Sequence, residues 1–298
     1  MKEFKGIIPA MATPFYDDES INVDELRRQI ERHIKAGVNG IFCLGTNGEN
    51  YAMSTEEKEM VISITVEQVA GRVPVYAGTG CITTKDTIAL TKRAKELGAD
   101  CCSIICPYFA QNSQESLYEH YSNVAEAVDI PIIIYNMPAR TGINISYKTV
   151  SKLAQIPNIV GIKDSSGNFD NMLRYIEETE DFAVFSGNDS LILWNLMAGG
   201  VGGISGIANI FPEIMVSIYT HWLAGDYNEA KKVQDSIRPI RNCLALGNPN
   251  SIVKRAANLL GHKLGPARAP FNVNNKDIDD ALIKTLALYK NQVSGYGK

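Results

Sequence analysis

The sequence predicts a TIM-type (β/α)8 barrel followed by a C-terminal helical extension. Three observations predict it. Short apolar runs alternate with longer amphipathic stretches over most of the chain. The runs lack the polar alternation of a half-exposed sheet, which suits strands buried on both faces of a parallel sheet. Eight strand–helix units follow one another, the number that closes a barrel of this kind.

The expected strands are Gly6–Ala12, Gly40–Leu44, Val73–Gly78, Cys102–Cys106, Ile130–Tyr135, Ile159–Ile162, Ala183–Ser186 and Gly202–Ile204. Helical patterns between them include Val23–Ala36, Thr55–Val69, Thr84–Leu97, Gln114–Val128, Tyr147–Gln155 and Asn168–Glu177. Ser54, with Glu57 three residues on, has the form of a capping box. Gly37 and Gly98 stand where helices end in a left-handed residue. Beyond the eighth unit, 226–246, 251–260 and 278–291 read as further helices. No Ser/Gly linker divides them off, so residues 1–225 are expected to form the catalytic barrel and 226–298 an extension packed on it.

Composition narrows the function. Of 298 residues, 45% are hydrophobic and 21% charged, with a net charge of −4, so no basic field is present to hold nucleic acid or anionic lipid. No apolar run reaches the ~20 residues of a membrane span, and the first residues lack a signal-peptide pattern, so a cytoplasmic protein is expected. Six cysteines and four histidines are scattered without ligand spacing, which predicts no metal site. The dinucleotide-binding fingerprint is missing from the first strand–helix turn. No cofactor is expected.

Active sites of such barrels lie at the carboxyl ends of the strands, so the residue ending each run carries the information. Lys163 follows Ile159-Val160-Gly161-Ile162. Desolvation at a barrel mouth disfavours an ammonium, and a neutral amine attacks a carbonyl to form an electron-withdrawing iminium. The alternatives are a surface lysine at a loop start and a lysine paired with Asp164. Tyr135 ends the fifth run, where a phenol can both give and take a proton, or simply pack its ring. Gly45-Thr46-Asn47-Gly48-Glu49 follows the second run. Its glycines allow successive N–H groups to face one anion, although tight turns use the same residues. The Thr46 hydroxyl is placed to extend a relay with Tyr135, and Glu49 to accept loop N–H groups. Arg140 in the fifth loop suits a substrate carboxylate if it faces the mouth.

These landmarks, together with Tyr135-Asn136-Met137-Pro138 and Gly161-Ile162-Lys163-Asp164-Ser165-Ser166, carry a resemblance. The chain resembles the dihydrodipicolinate synthase and N-acetylneuraminate lyase family of class I pyruvate aldolases, from Gly6 to Pro270. The resemblance implies Lys163 as the Schiff-base lysine and Tyr135 as the proton shuttle. It implies that Thr46 and Asn47 hold the pyruvate carboxylate and that Gly187 and Ile204 line the pocket through backbone groups. A homotetramer, a dimer of tight dimers, is implied as well. Arg140 in Pro138-Ala139-Arg140-Thr141-Gly142 and the stretch from Pro249 to Lys254 resemble the synthase branch, where the arginine holds the carboxylate of aspartate semialdehyde.

Two departures from that branch stand out. Asn47 takes the place of a threonine. Phe109, after Tyr108 at the expected subunit contact, takes the place of a tyrosine that reaches across the tight dimer into the relay. The positions matching the feedback site for lysine, Asn50, Tyr51, Thr55, Lys58, Ile82, Asp86 and Tyr108, do not suit a cationic amino acid. The expected reaction is condensation of pyruvate with aspartate semialdehyde. Arg140 favours it, and Phe109 favours an aldolase or dehydratase for a 2-oxo-3-deoxy sugar acid, or a lyase resembling that for N-acetylneuraminate. A non-catalytic sensor of 2-oxo acids is the reading from another class, and the intact Lys163 and Tyr135 argue against it.

Overall fold

The structure is a computed structural model that describes residues 3–272 and 275–290. Eight strands form one parallel sheet: β1 (Gly6–Pro9), β2 (Ile41–Cys43), β3 (Val75–Gly78), β4 (Cys101–Ile105), β5 (Ile132–Asn136), β6 (Ile159–Asp164), β7 (Ala183–Ser186) and β8 (Gly202–Ser205). Their order is β1-β8-β7-β6-β5-β4-β3-β2. A parallel bridge between Ala10 and Phe42, with Met11 N donating to Phe42 O at 2.9 Å, joins the two ends and closes the barrel.

The helices are α1 (Val23–Lys35), α2 (Thr55–Val69), α3 (Thr84–Glu96), α4 (Gln114–Ala127), α5 (Pro138–Thr141), α6 (Tyr147–Leu153), α7 (Phe169–Glu177), α8 (Ile192–Met197), α9 (Pro212–Leu223), α10 (Tyr227–Ser236), α11 (Arg238–Cys243), α12 (Pro249–Leu259) and α13 (Lys276–Leu286). Their starts are chemically marked. Ser54 and Glu57 form the reciprocal capping box of α2. Asn22, Thr83, Ser113 and Ser146 each accept from the third helical N–H of α1, α3, α4 and α6. Gly37 and Gly98 have φ of +84° and +92°, as their positions after α1 and α3 require.

Strand alternation decides what faces the barrel axis. Ile8, Phe42, Tyr76, Cys101, Ile133, Phe185 and Ile204 make a small buried cluster of their own, the filling of the barrel. Two residues beyond Ile133 on the same face is Tyr135. Lys163 is its register partner on β6. The amine and the phenol therefore continue the interior column upward to the carboxyl-terminal mouth. The other face of each strand packs under the helices in the main core, with Ile104, Ile134, Ile162 and Val184.

Three expectations about local structure are corrected. Lys163 lies within β6, because pairing of β6 with β5 continues to Asp164 against Asn136. The pattern at 226–246 is two α-helices and a 3-10 turn at Leu244–Leu246, since Pro239 stands in the first turn of α11 and prevents continuation of α10. Arg140 sits on the short helix α5. The last expected helix spans Lys276–Leu286, and Asn291 lies outside the described residues. Helices α9 to α13 share a buried cluster with Ile7 of β1, which sets the tail against the barrel and brings α11 and α12 over its mouth. Among the described residues no helix is long and apolar enough to cross a membrane.

Candidate active site

Lys163 and Tyr135 are only 4% and 5% exposed, so both polar heads sit where water is scarce. Lys163 Nζ lies 4.0 Å from the centroid of the Tyr135 ring and 5.1 Å from that of Phe42. Asp164 does not pair with Lys163. Alternation turns its carboxylate to the outer face of the barrel, where it accepts from Asn136 Nδ2 and Ser166 Oγ, both at 2.7 Å. The Thr46 hydroxyl is 3.3 Å from the Tyr135 hydroxyl, the contact expected of a relay. Burial works to raise the Tyr135 phenol. The positive charge of Lys163 and hydrogen bonds with Thr46, Ser165 and Lys163 outweigh burial and hold it below the usual phenol range.

Gly187 follows β7, and its N–H donates to Asp164 O at 2.7 Å. A Cβ there would stand 2.0 Å from Ser165 Oγ and 3.0 Å from Lys163 Cε, so a side chain at this position would displace Ser165 and press on the lysine arm. Ile204 sits on β8 opposite Ile8 of β1 and is buried.

In the loop after β2, Gly48 N donates to Gly45 O at 3.0 Å and Glu49 N to Thr46 O at 3.1 Å. No hydrogen bond engages the Thr46 or Asn47 amide among the described residues, so two adjacent N–H groups are left for an anion. Glu49 does not serve its own loop. Its carboxylate, fully buried, meets Lys254 Nζ of α12 at 2.5 Å and accepts from Arg268 N at 2.9 Å. Desolvation draws the Lys254 ammonium down to about 8, against the pull of Glu49. Asn250, also on α12, donates to Thr46 O at 2.7 Å and to the Tyr51 hydroxyl at 3.0 Å. The tail thus holds the loop at three points.

Thr46, Asn47, Tyr135, Arg140, Lys163, Gly187 and Ile204 all line one cavity of about 240 Å3 at the barrel mouth. Sequence reasoning placed these seven together. It missed Ser165, Asp189, Arg241 and Asn250, which line the same cavity. Only the position of Ser165 and Asp189 just beyond β6 and β7 could have signalled the first two. Tyr108 lies aside, in an adjoining cavity of about 150 Å3 with Tyr51, Arg140 and Phe271. Phe109 touches neither cavity; it is 98% exposed, with φ of +79°. A larger hollow of about 660 Å3 at the opposite end of the barrel, beside Phe4, Val160 and Phe182, holds none of the candidate residues. Among the described residues no group of three His, Cys, Asp or Glu could hold a metal ion.

The sequence model of the Dihydrodipicolinate synthetase family matches residues 3–288. The chain is 40% identical over 287 residues to the 4-hydroxy-tetrahydrodipicolinate synthase of Methanopyrus kandleri, covering 95% of this chain and 96% of that one. Its fold superposes on the crystal structure of dihydrodipicolinate synthase from Aquifex aeolicus with a TM-score of 0.93, at 36% identity, over 96% of this chain and 98% of that one. A monomeric dihydrodipicolinate synthase variant is similarly alike, with a TM-score of 0.92 and 33% identity over 95% and 96% of the two chains. The chain belongs to the dihydrodipicolinate synthetase family, and so to the Schiff-base, pyruvate-dependent class of aldolases and lyases.

Proposed function

We propose that the chain condenses pyruvate with aspartate semialdehyde through a Schiff base on Lys163. The observation that carries this is the placement of a buried amine against a buried phenol on adjacent strands, with the Thr46 hydroxyl 3.3 Å from the phenol oxygen. Pyruvate enters with its carboxylate on the Thr46 and Asn47 amides. Lys163 Nζ adds to the keto carbon, the oxygen leaves as water, and an iminium results. Tyr135 carries the protons, aided by its lowered phenol and by Thr46. Loss of a methyl proton gives an enamine, whose carbon attacks the aldehyde. The new alkoxide takes a proton, and water on the iminium releases the product and restores Lys163. Arg140 holds the carboxylate of the second substrate in this reading.

The test is a panel in which pyruvate is offered with aspartate semialdehyde, N-acetylmannosamine and glyceraldehyde, in both directions. Turnover of aspartate semialdehyde is expected. Turnover of a sugar aldehyde alone would transfer the reading to a 2-oxo-3-deoxy sugar acid aldolase, which Phe109 favours because it brings no hydroxyl to a relay. We propose a homotetramer as well. The likeness to the family over residues 3–288 supports it, and Phe109, 98% exposed, stands free for a neighbouring subunit to cover; light scattering at micromolar concentration decides it. Feedback by lysine is not part of this reading, since Ile82, half exposed and apolar, offers a cationic ligand no hydrogen bond.

A further inference from the structure

The cavity carries more positive charge than the proposed substrates use. Arg27, Arg72, Arg93, Arg255 and Arg268 each spend their guanidinium on a carboxylate. Arg140 and Arg241 line the cavity, and neither side chain makes a hydrogen bond or ion pair among the described residues. Arg241 lies on α11, which is separated from α10 at Ile237 and borders the mouth.

The cavity's carboxylate, Asp189, is already engaged. Its Oδ1 accepts from Ser205 Oγ at 2.5 Å and its Oδ2 from Ile207 N at 3.3 Å, and it is buried. Burial raises this carboxyl, with Ser205 and the field of Arg241 opposing. Aspartate semialdehyde has one carboxylate and one ammonium. Its carboxylate can be shared by the two guanidinium groups, but its ammonium adds a positive charge to a mouth that already carries both. An aldehyde with an anionic tail and no ammonium avoids that repulsion.

We infer that Arg241 is a specificity residue which, with Arg140, grips an anionic tail, so that the site also adds pyruvate to aldehydes ending in a carboxylate or phosphate and lacking an ammonium. This rests on the Schiff base at Lys163. Two guanidinium groups around one cavity of about 240 Å3 can both reach one tail, each through charge-assisted hydrogen bonds.

The test compares kcat/KM, at saturating pyruvate, for glyceraldehyde, succinic semialdehyde and glyceraldehyde 3-phosphate. In the parent protein at least one anionic aldehyde should exceed glyceraldehyde by about ten- to a hundredfold, and the larger value identifies carboxylate or phosphate as the tail. Arg241→Gln should lower that anionic-to-neutral ratio about tenfold or more, and Arg241→Lys should retain part of it. An equal loss on all three aldehydes in the variant would mean that Arg241 only balances Asp189, and the inference fails. Equal values in the parent overturn it too. Borohydride trapping of pyruvate separates the two levels. An adduct on Lys163 with an unchanged ratio sinks the inference alone, whereas no adduct in the parent sinks the Schiff-base reading and the inference with it.

Discussion

The floor and the roof of the cavity are built by different means. The floor comes from strand ends: Tyr135 and Lys163 in register, Gly187 just beyond β7, and Ile204 on β8. The roof comes from the tail: Arg241, Leu244, Pro249, Asn250 and Val253 on α11, α12 and the segment between. Floor positions are fixed by the pleat and by hydrogen bonds between strands, so a side chain's direction follows from its parity. Roof positions depend on how a helix bends and packs. The difference suggests a division of labour, with chemistry on the rigid floor and choice of second substrate between Arg140 and the roof.

The strongest way to break that division is at the floor. Lys163→Ala should abolish both turnover and the borohydride-trapped pyruvate adduct, read by mass spectrometry of the digested protein. A residual adduct on another lysine would show that the interior column is not where the chemistry happens. Tyr135→Phe keeps the ring beside Lys163 and removes only the proton carrier. Turnover should fall by about 10²–10⁴. An undiminished rate would pass the relay to water or to Thr46.

The seam between floor and roof is Glu49 with Lys254. Both are essentially inaccessible to water, at 0% and 1% exposure. Lys254→Met preserves the volume but leaves the Glu49 carboxylate buried without its counter-ion. Breaking a buried pair from one side costs about 3–5 kcal/mol, so the urea midpoint should fall accordingly. Because Glu49 belongs to the loop that presents the Thr46 and Asn47 amides, KM for pyruvate should rise as well. A loss of stability with no change in KM would mean that the loop holds its shape without the tail.

The same contrast explains what could be read in advance. Lys163 and Tyr135 were legible because each stands at the end of an unbroken apolar run, and a barrel sends such positions to one mouth. Arg140 was legible as a loop cation, but its four-residue helix is too short to leave a periodic signal. Arg241 was not legible. Its pattern reads as one continuous helix, and the break at Ile237, ahead of Pro239, that sets α11 apart from α10 leaves no periodic signal. Nor could Asn250 be assigned to Thr46, a contact across 204 positions that no local pattern encodes. The partners of Glu49 were hidden for the same reason: a glutamate closing a glycine turn looks self-sufficient until the tail folds onto it.

The smallest expected effect tests where the boundary between the two regions falls. Arg140 is on neither a strand nor the tail; it leaves the fifth loop on α5, exposed, and borders both cavities at the mouth. If it serves the second substrate, Arg140→Ala should leave pyruvate trapping on Lys163 in place. It should lower kcat/KM for aspartate semialdehyde by about ten- to a hundredfold, the loss of one charge-assisted contact of about 1.5–3 kcal/mol. Pyruvate sits below, against Thr46 and Asn47, and needs nothing from α5 in this reading. Loss of trapping in the variant would place Arg140 in the service of pyruvate or of the loop's fold. The division between a chemical floor and a selective roof would then have to be redrawn with α5 on the chemical side.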